Sequence, residues 1–259
     1  MATEKRFVDK LKTYLLFAGP TTLFFVTVIV LPFVFGIYLT FTNWDGISTA
    51  YNLVGFSNYK QLFQEPAFWT SFLRTVKYVF WTVVIVNSLG FALAYTLTGE
   101  KVRGQNFLRT GFFVPNLIGG IILGFVWRFI FSNVLVYIGR SLDIAALSYS
   151  WLANPDKALW TLVIVSVWQY SGYMMIIFIA GLSNIPKELL EAATIDGANG
   201  FHRLKSVVLP LMVPAFIVTV FLTIQRGFMV YDVNLALTGG GPFKTTELIS
   251  MHVYEKAFL

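Results

Sequence analysis

Five apolar runs constrain this chain more than anything else in its sequence: about Tyr14 to Phe41, Phe72 to Leu97, Phe107 to Phe131, Ala158 to Leu182 and Val207 to Leu237. An α-helix needs about 20 predominantly apolar residues to cross a hydrocarbon layer, and each run reaches that length. Charged residues make up 12 % of the chain, against about a quarter in a soluble domain. These features predict an all-α, polytopic membrane helical bundle with five spans, residues 1–259 forming a single transmembrane domain in a lipid bilayer. There is no cysteine, which removes disulfides and thiolate metal sites. The net charge of +6 comes from residues that flank the runs rather than from one basic stripe, so it speaks to topology and not to nucleic acid.

The first run follows Lys5, Arg6, Lys10 and Lys12 and exceeds the roughly 7–15 residues of a signal-peptide core, so it is predicted to remain as a span, bent at Pro20, Pro32 and Gly36. The third run is broken by Pro115 and Gly119-Gly120 and carries Arg128 near its far end, where an interfacial anchor is expected. Ser132 to Asp156 reads as mixed and turn-rich, and Thr246 to Phe258 as a short helix lying in the interface. Placing the N-terminus in the cytoplasm gathers its basic flank with Lys101, Arg103, Arg109, Lys187, Arg203 and Lys205. Lys60, Arg140, Lys157, Lys244 and Lys256 then fall on longer loops of the other side, with Arg74 and Lys77 at its membrane edge, which leaves a moderate bias.

Between the fourth and fifth runs, Glu191 to Pro210 reads as two short helices rather than a plain loop. Ser183, Asn184 and Pro186 are expected to open the first helix, and Gly197 to end it in a left-handed turn. Asn199-Gly200 then lets a basic second helix begin at Phe201. Ala192 and Ala193 leave a low surface and Lys187 and Glu191 stand four apart on one face, which suits docking; the alternative is an ordinary helix whose Lys187 and Glu191 form an exposed pair. The spacing predicts a cytoplasmic helix-turn-helix shelf over 183–206, with joints at Pro186, Gly197 and Pro210.

No enzyme constellation is present: His202 and His252 fall on opposite sides in this topology, and there is no phosphate-binding Gly-x-x-x-x-Gly-Lys-Ser/Thr loop. Asp232 is the single acid within the runs and is read as satisfying either Arg226, about one and a half turns away, or a partner subunit. Spans so poor in acids argue against ion coupling.

Glu191-Ala192-Ala193, Gly197 and Leu209-Pro210 stand at the spacing of, and resemble, the EAA loop of permease subunits in ATP-binding-cassette (ABC) importers. Val207 and Leu204 are apolar replacements of its usual residues, and Asp196-Gly197-Ala198 matches the carbohydrate branch. Asn58-Tyr59, Trp127, Trp168, Tyr173-Met174, Tyr231-Asp232 and Leu237 to Pro242 extend the likeness over essentially the whole chain, to maltose-type carbohydrate-uptake permeases.

The resemblance implies a type I ABC importer permease fold, with a sixth span expected beyond Leu259 and hence a truncated chain. It implies translocation of a sugar or oligosaccharide across a bacterial-type cytoplasmic (inner) membrane. The implied partners are a second homologous permease in a heterodimer, two ATP-binding subunits and an extracytoplasmic solute-binding protein. ATP and Mg would belong to the partner ATPase, with no cofactor, metal or catalytic residue in this chain. Glu191, Ala192, Ala193, Asp196, Gly197 and Pro210 would couple to that ATPase. The implied substrate path is Ser166, Gln169, Tyr170 and Tyr173 on one face of the fourth span, with Thr223, Arg226, Gly227 and Val230 on one face of the fifth. The alternatives are an ion-coupled secondary transporter, or an ABC permease for an acidic sugar or other non-sugar solute.

Overall fold

The computed structural model describes residues 12–99 and 104–258, and their regular structure is helical apart from an isolated bridge between Thr42 and Leu53. The basic residues Lys5, Arg6, Lys10, Lys101 and Arg103 that enter the topology argument lie outside the described residues. The chain divides into two compact units, 1–67 and 68–259.

In the first unit, α1 (Gly19–Leu39) widens into a π turn over Val26–Val30, just before Pro32, which has no N–H to return to the preceding turn. α2 (Ser57–Gln64) is tied back to the end of α1 by Asn58, whose Nδ2 donates to the Thr40 and Thr42 carbonyls at 2.9 and 2.8 Å. The Tyr59 hydroxyl meets Thr40 Oγ1 at 2.8 Å. In the polar loop between them, hydrogen bonds from Ser48 and Ile47 hold the Asp45 carboxyl down at about 2.

The second unit is built on α3 (Pro66–Leu97) and α6 (Pro155–Ser183). At 32 residues, α3 is roughly 48 Å long, more than a hydrocarbon layer. Around these two stand α4 (Gln105–Phe113), α5 (Gly120–Ser141), α7 (Lys187–Ile195), α8 (Gly200–Leu211), α9 (Val213–Phe228), α10 (Asp232–Leu237) and α11 (Ile249–Phe258). Four of the described helices are long and apolar enough to cross a membrane, or five if the bent pair α8–α9 is one span.

The third run departs from expectation beyond its break. A 3-10 turn over Val114–Leu117 and extended backbone at Ile118 and Gly119 interrupt it, but α5 then continues through a π turn to Ser141. Ser132 to Ser141 is therefore helical rather than turn-rich, and Arg128 is exposed in the middle of a helix instead of anchoring its end. The fifth run is not one rod. It bends by 68° at Met212, flanked by Pro210 and Pro214, and unwinds at Met229–Tyr231 before α10. Each break frees a carbonyl that a side chain then satisfies: Gln169 Nε2 donates to Ile118 O at 3.2 Å, and Ser250 Oγ donates to Val230 O.

Lipid is as apolar as leucine, so close packing rather than the hydrophobic effect holds such helices together. α6 is the central helix and is packed in two clusters. One joins Tyr78, Leu123, Leu162, Val163, Val233 and Leu237, and the other joins Val86, Ala94, Met174, Phe178, Val208 and Met212. Small residues permit the closest approaches. A Cβ on Gly172 would run into the Phe112 carbonyl. One on Gly124 would stand 2.5 Å from Ala236 Cβ and 2.9 Å from the Val233 carbonyl oxygen, so α10 lies directly on α5.

Candidate functional site

The shelf forms, with its caps redistributed. Ser183 closes α6, its Oγ donating to Ile179 O, and Asn184 is that helix's C-cap; Pro186 takes the N-cap position of α7 and no side chain caps it. Gly197 has φ +80° and donates to Thr194 O, ending α7 as its sequence predicts. Asn199 caps α8 by accepting from His202 N at 2.8 Å. Among the described residues no ion pair joins Lys187 to Glu191, so the alternative of an ordinary exposed pair is not what forms. The brace is instead Arg203, whose Nη1 donates to Thr194 Oγ1 at 3.0 Å and joins the two shelf helices. Leu190 and Leu204 pack the underside onto the second core cluster, while Glu191, Ala192, Asp196 and Gly197 are exposed and Ala193 half-buried. The joint after the shelf falls at Met212, two residues beyond Pro210. Sequence reasoning passed over Ile195 and Phe201, which are 86 % and 74 % exposed on this shelf.

The shelf and the glycine loop, Gly239-Gly240-Gly241-Pro242, lie at opposite ends of α3. Thr98, just past its C-terminal end, lines a hollow with Lys187, Glu191 and Arg203. Near its N-terminal end, Arg74 Nη1 donates to Lys244 O at 2.7 Å and Thr75 Oγ1 accepts from Ile249 N at 2.8 Å. The loop itself is held by Asn234, whose Nδ2 donates to Thr246 O at 2.7 Å, and by Thr246 Oγ1 donating to Gly241 O at 2.8 Å.

Between the ends, both chain breaks border a cleft of about 440 Å³ lined by Gln169, Tyr170, Gln225, Arg226, Tyr231 and Asp232 among others. The guanidinium of Arg226 lies 5.1 and 4.7 Å from the ring centres of Tyr170 and Tyr173, within cation–π range. Its Nη1 donates to Asn116 Oδ1 at 2.8 Å. The expected Asp232 partnership is absent: the unwinding at Met229–Tyr231 intervenes, and Asp232 instead opens α10 with its side chain exposed. Gln169 Oε1 is buried and has no hydrogen-bond partner among the described residues.

The two predicted faces do not hold together. Gln169, Tyr170, Tyr173, Arg226 and Val230 converge at or beside the cleft. Ser166 is instead buried against the Tyr78 hydroxyl at 2.6 Å, Thr223 Oγ1 accepts from Asn87 Nδ2 at 3.3 Å, and Gly227 packs on Val79. Those three join α6 and α9 to α3. Side chains three and four apart still spread over a wide helical arc, and α3 takes one edge of it. Asn116 escaped sequence analysis, although its place beside Pro115 at the break was a usable signal.

Long apolar helices interrupted around a half-polar cleft, with an exposed shelf at one end, define a multi-pass membrane permease. Over residues 87–252 the chain matches the binding-protein-dependent transport system inner membrane component family, and it belongs to that family. It is 42 % identical over 258 residues to the probable starch degradation products transport system permease protein AmyD of Thermoanaerobacterium thermosulfurigenes, covering all of this chain and 87 % of that one. Its fold is similar to a chain of a bacterial ABC transporter involved in the import of the acidic polysaccharide alginate. That match has a TM-score of 0.80 at 19 % identity, covering 98 % of this chain and 87 % of the other. A second structure, of a bacterial alginate ABC transporter in complex with an alginate pentasaccharide-bound periplasmic protein, matches with a TM-score of 0.79, also at 19 % identity, covering 95 % and 84 %.

Proposed function

We propose that this chain is one of two permease subunits of an ABC importer and passes a neutral sugar or oligosaccharide through the Arg226 cleft. The observation that carries the substrate class is the balance of that cleft. Arg226 brings spare donors, Gln169 Oε1 is an unused acceptor, and Asp232 adds a carboxylate to the same lining without pairing to Arg226. Sugar hydroxyls both donate and accept, and Tyr170 and Tyr173 supply aromatic faces. The starch-product relative agrees with this reading.

The shelf faces the cytoplasm and docks on a separate ATPase, where ATP and Mg act. Arg109, Lys187, Arg203 and Lys205, which the topology argument assigns to one side, favour this orientation. Glu191 makes a charge contact with the ATPase, Ala192 and Ala193 allow close approach, and Asp196 and Gly197 set the turn. Ile195 and Phe201 supply apolar area that a solvent-facing shelf would not otherwise display. A homologous second permease completes the path, and a solute-binding protein meets the glycine loop on the far side.

An acidic sugar is the second reading, favoured by Arg226 having no ion-pair partner among the described residues and by the alginate transporter's fold. Uptake by the assembled complex of neutral glucans beside uronate-bearing oligosaccharides, in the parent and in Arg226→Gln, separates the two. Preference for the uronates in the parent, lost in Arg226→Gln, would reject the neutral class.

A further inference from the structure

We propose that Glu247 is the positioning residue of a rigid tip at Phe243, and that this tip is where the extracytoplasmic solute-binding protein seats. The inference rests on the importer reading above and names a contact within it.

Phe243 is 88 % exposed at the turn that follows the three glycines. It and Lys244 hold φ of +50° and +60°, a left-handed pair of residues neither of which is glycine. Bulky side chains rarely adopt that backbone, and it persists only where surrounding contacts over-determine it. The contacts are present. Glu247 is 3 % exposed, yet its carboxylate is fully engaged: Oε1 meets His252 Nδ1 at 2.8 Å and Oε2 meets Lys244 Nζ at 2.9 Å. A carboxylate only accepts, so Nδ1 is the protonated nitrogen of His252. Lys244 also reaches Glu255 at 3.2 Å, and its backbone carbonyl takes the Arg74 donor. Ser71 on α3 approaches Glu247 Oε1 at 3.5 Å. The chain is thus fastened on both sides of Phe243, by the Asn234–Thr246 network and by the Glu247 clasp, and the ring is left outside.

A single exposed aromatic on preorganised backbone is how a protein anchor is built: the ring supplies apolar area and the fixed loop spares the ordering cost. The occupant follows from position and family. The tip lies at the end of α3 opposite the shelf, and the family is described as binding-protein-dependent. A periplasmic protein is bound in the transporter whose fold this chain resembles.

The test is ATPase rate of the assembled complex in nanodiscs, titrated with a purified solute-binding protein that stimulates the parent. Phe243→Ala and Glu247→Gln should each raise the half-stimulating concentration by about fivefold or more, the loss of an aromatic anchor, with the maximal rate within about twofold. Lys244→Arg, which keeps the ion pair, should stay near the parent. Phe243 is exposed, so Phe243→Ala carries no folding risk and decides the tip even if Glu247→Gln fails to assemble. An unchanged half-stimulating concentration in Phe243→Ala overturns the proposal. So does a fall in maximal rate alone, which would place the ring against lipid or the second permease. A parent complex that no solute-binding protein stimulates defeats the importer reading itself, and the tip falls with it.

Discussion

Arg226 Nη1 donates to Asn116 Oδ1 at 2.8 Å across 110 residues of sequence, joining the end of α9 to the break that precedes α5. A guanidinium at this depth is costly unless it is hydrogen-bonded or meets water or an anion, and here an amide and two tyrosine rings hold it without neutralising it. Arg226→Gln should lower uptake by about tenfold or more, the scale of hydrogen bonds to a charged group. Asn116→Leu should reproduce part of that loss by letting the guanidinium swing. Initial uptake rates of labelled sugar check both.

Gln169 uses its Nε2 on the freed Ile118 carbonyl and leaves Oε1 buried without a partner among the described residues. Gln169→Leu removes both functions, whereas Gln169→Glu keeps an acceptor but no longer donates to Ile118. If Oε1 receives a substrate hydroxyl, Gln169→Glu should retain more uptake than Gln169→Leu at equal expression. Equal losses would make the Ile118 contact the decisive one.

Gly197 sits at φ +80° with open space around a would-be Cβ, so Gly197→Ala costs about 1–2 kcal/mol of backbone strain and no clash. The chain should still fold. What should change is the turn between α7 and α8. ATP hydrolysis that persists while uptake falls, in Gly197→Ala and in Glu191→Lys, is the expected uncoupling; full uptake in both removes the coupling role.

Burial pushes the Glu247 carboxyl up, but hydrogen bonds from His252 and Lys244 outweigh it and hold the group below the usual glutamate range. A carboxyl depressed in the folded state contributes stability that is present above its unfolded value and lost as pH falls through the folded one. The thermal midpoint of the detergent-solubilised protein should therefore drop as the pH is taken below about 4.3, the ordinary glutamate value. Glu247→Gln should flatten part of that dependence.

Gly124 faces Ala236 so closely that any side chain must push α10 away from α5. Gly124→Val should cost about 1–3 kcal/mol, the usual penalty of overpacking. Ala236→Gly should restore only part of it, because the Val233 carbonyl remains in the way. Midpoints of thermal unfolding for the two single variants and the double variant measure this.

The sequence by itself determined that the chain is made of long apolar helices, the break at Pro115 to Gly119, the joint near Pro210 and the Gly197 turn. All are local consequences of apolar run length and of what proline and glycine do to the backbone within one turn. It also marked Arg226 and the tyrosines as costly or useful groups to place at that depth. Only the tertiary structure decided that Arg226 meets Asn116 rather than Asp232, that Ser166, Thr223 and Gly227 face α3, and that Glu247 is buried between His252 and Lys244. α6 packs helices on several sides within an apolar layer, so its periodicity does not single out one face. The pairings depend on where helices far apart in sequence happen to cross, and on which freed carbonyl or charge lies within about 3 Å of a side chain able to satisfy it.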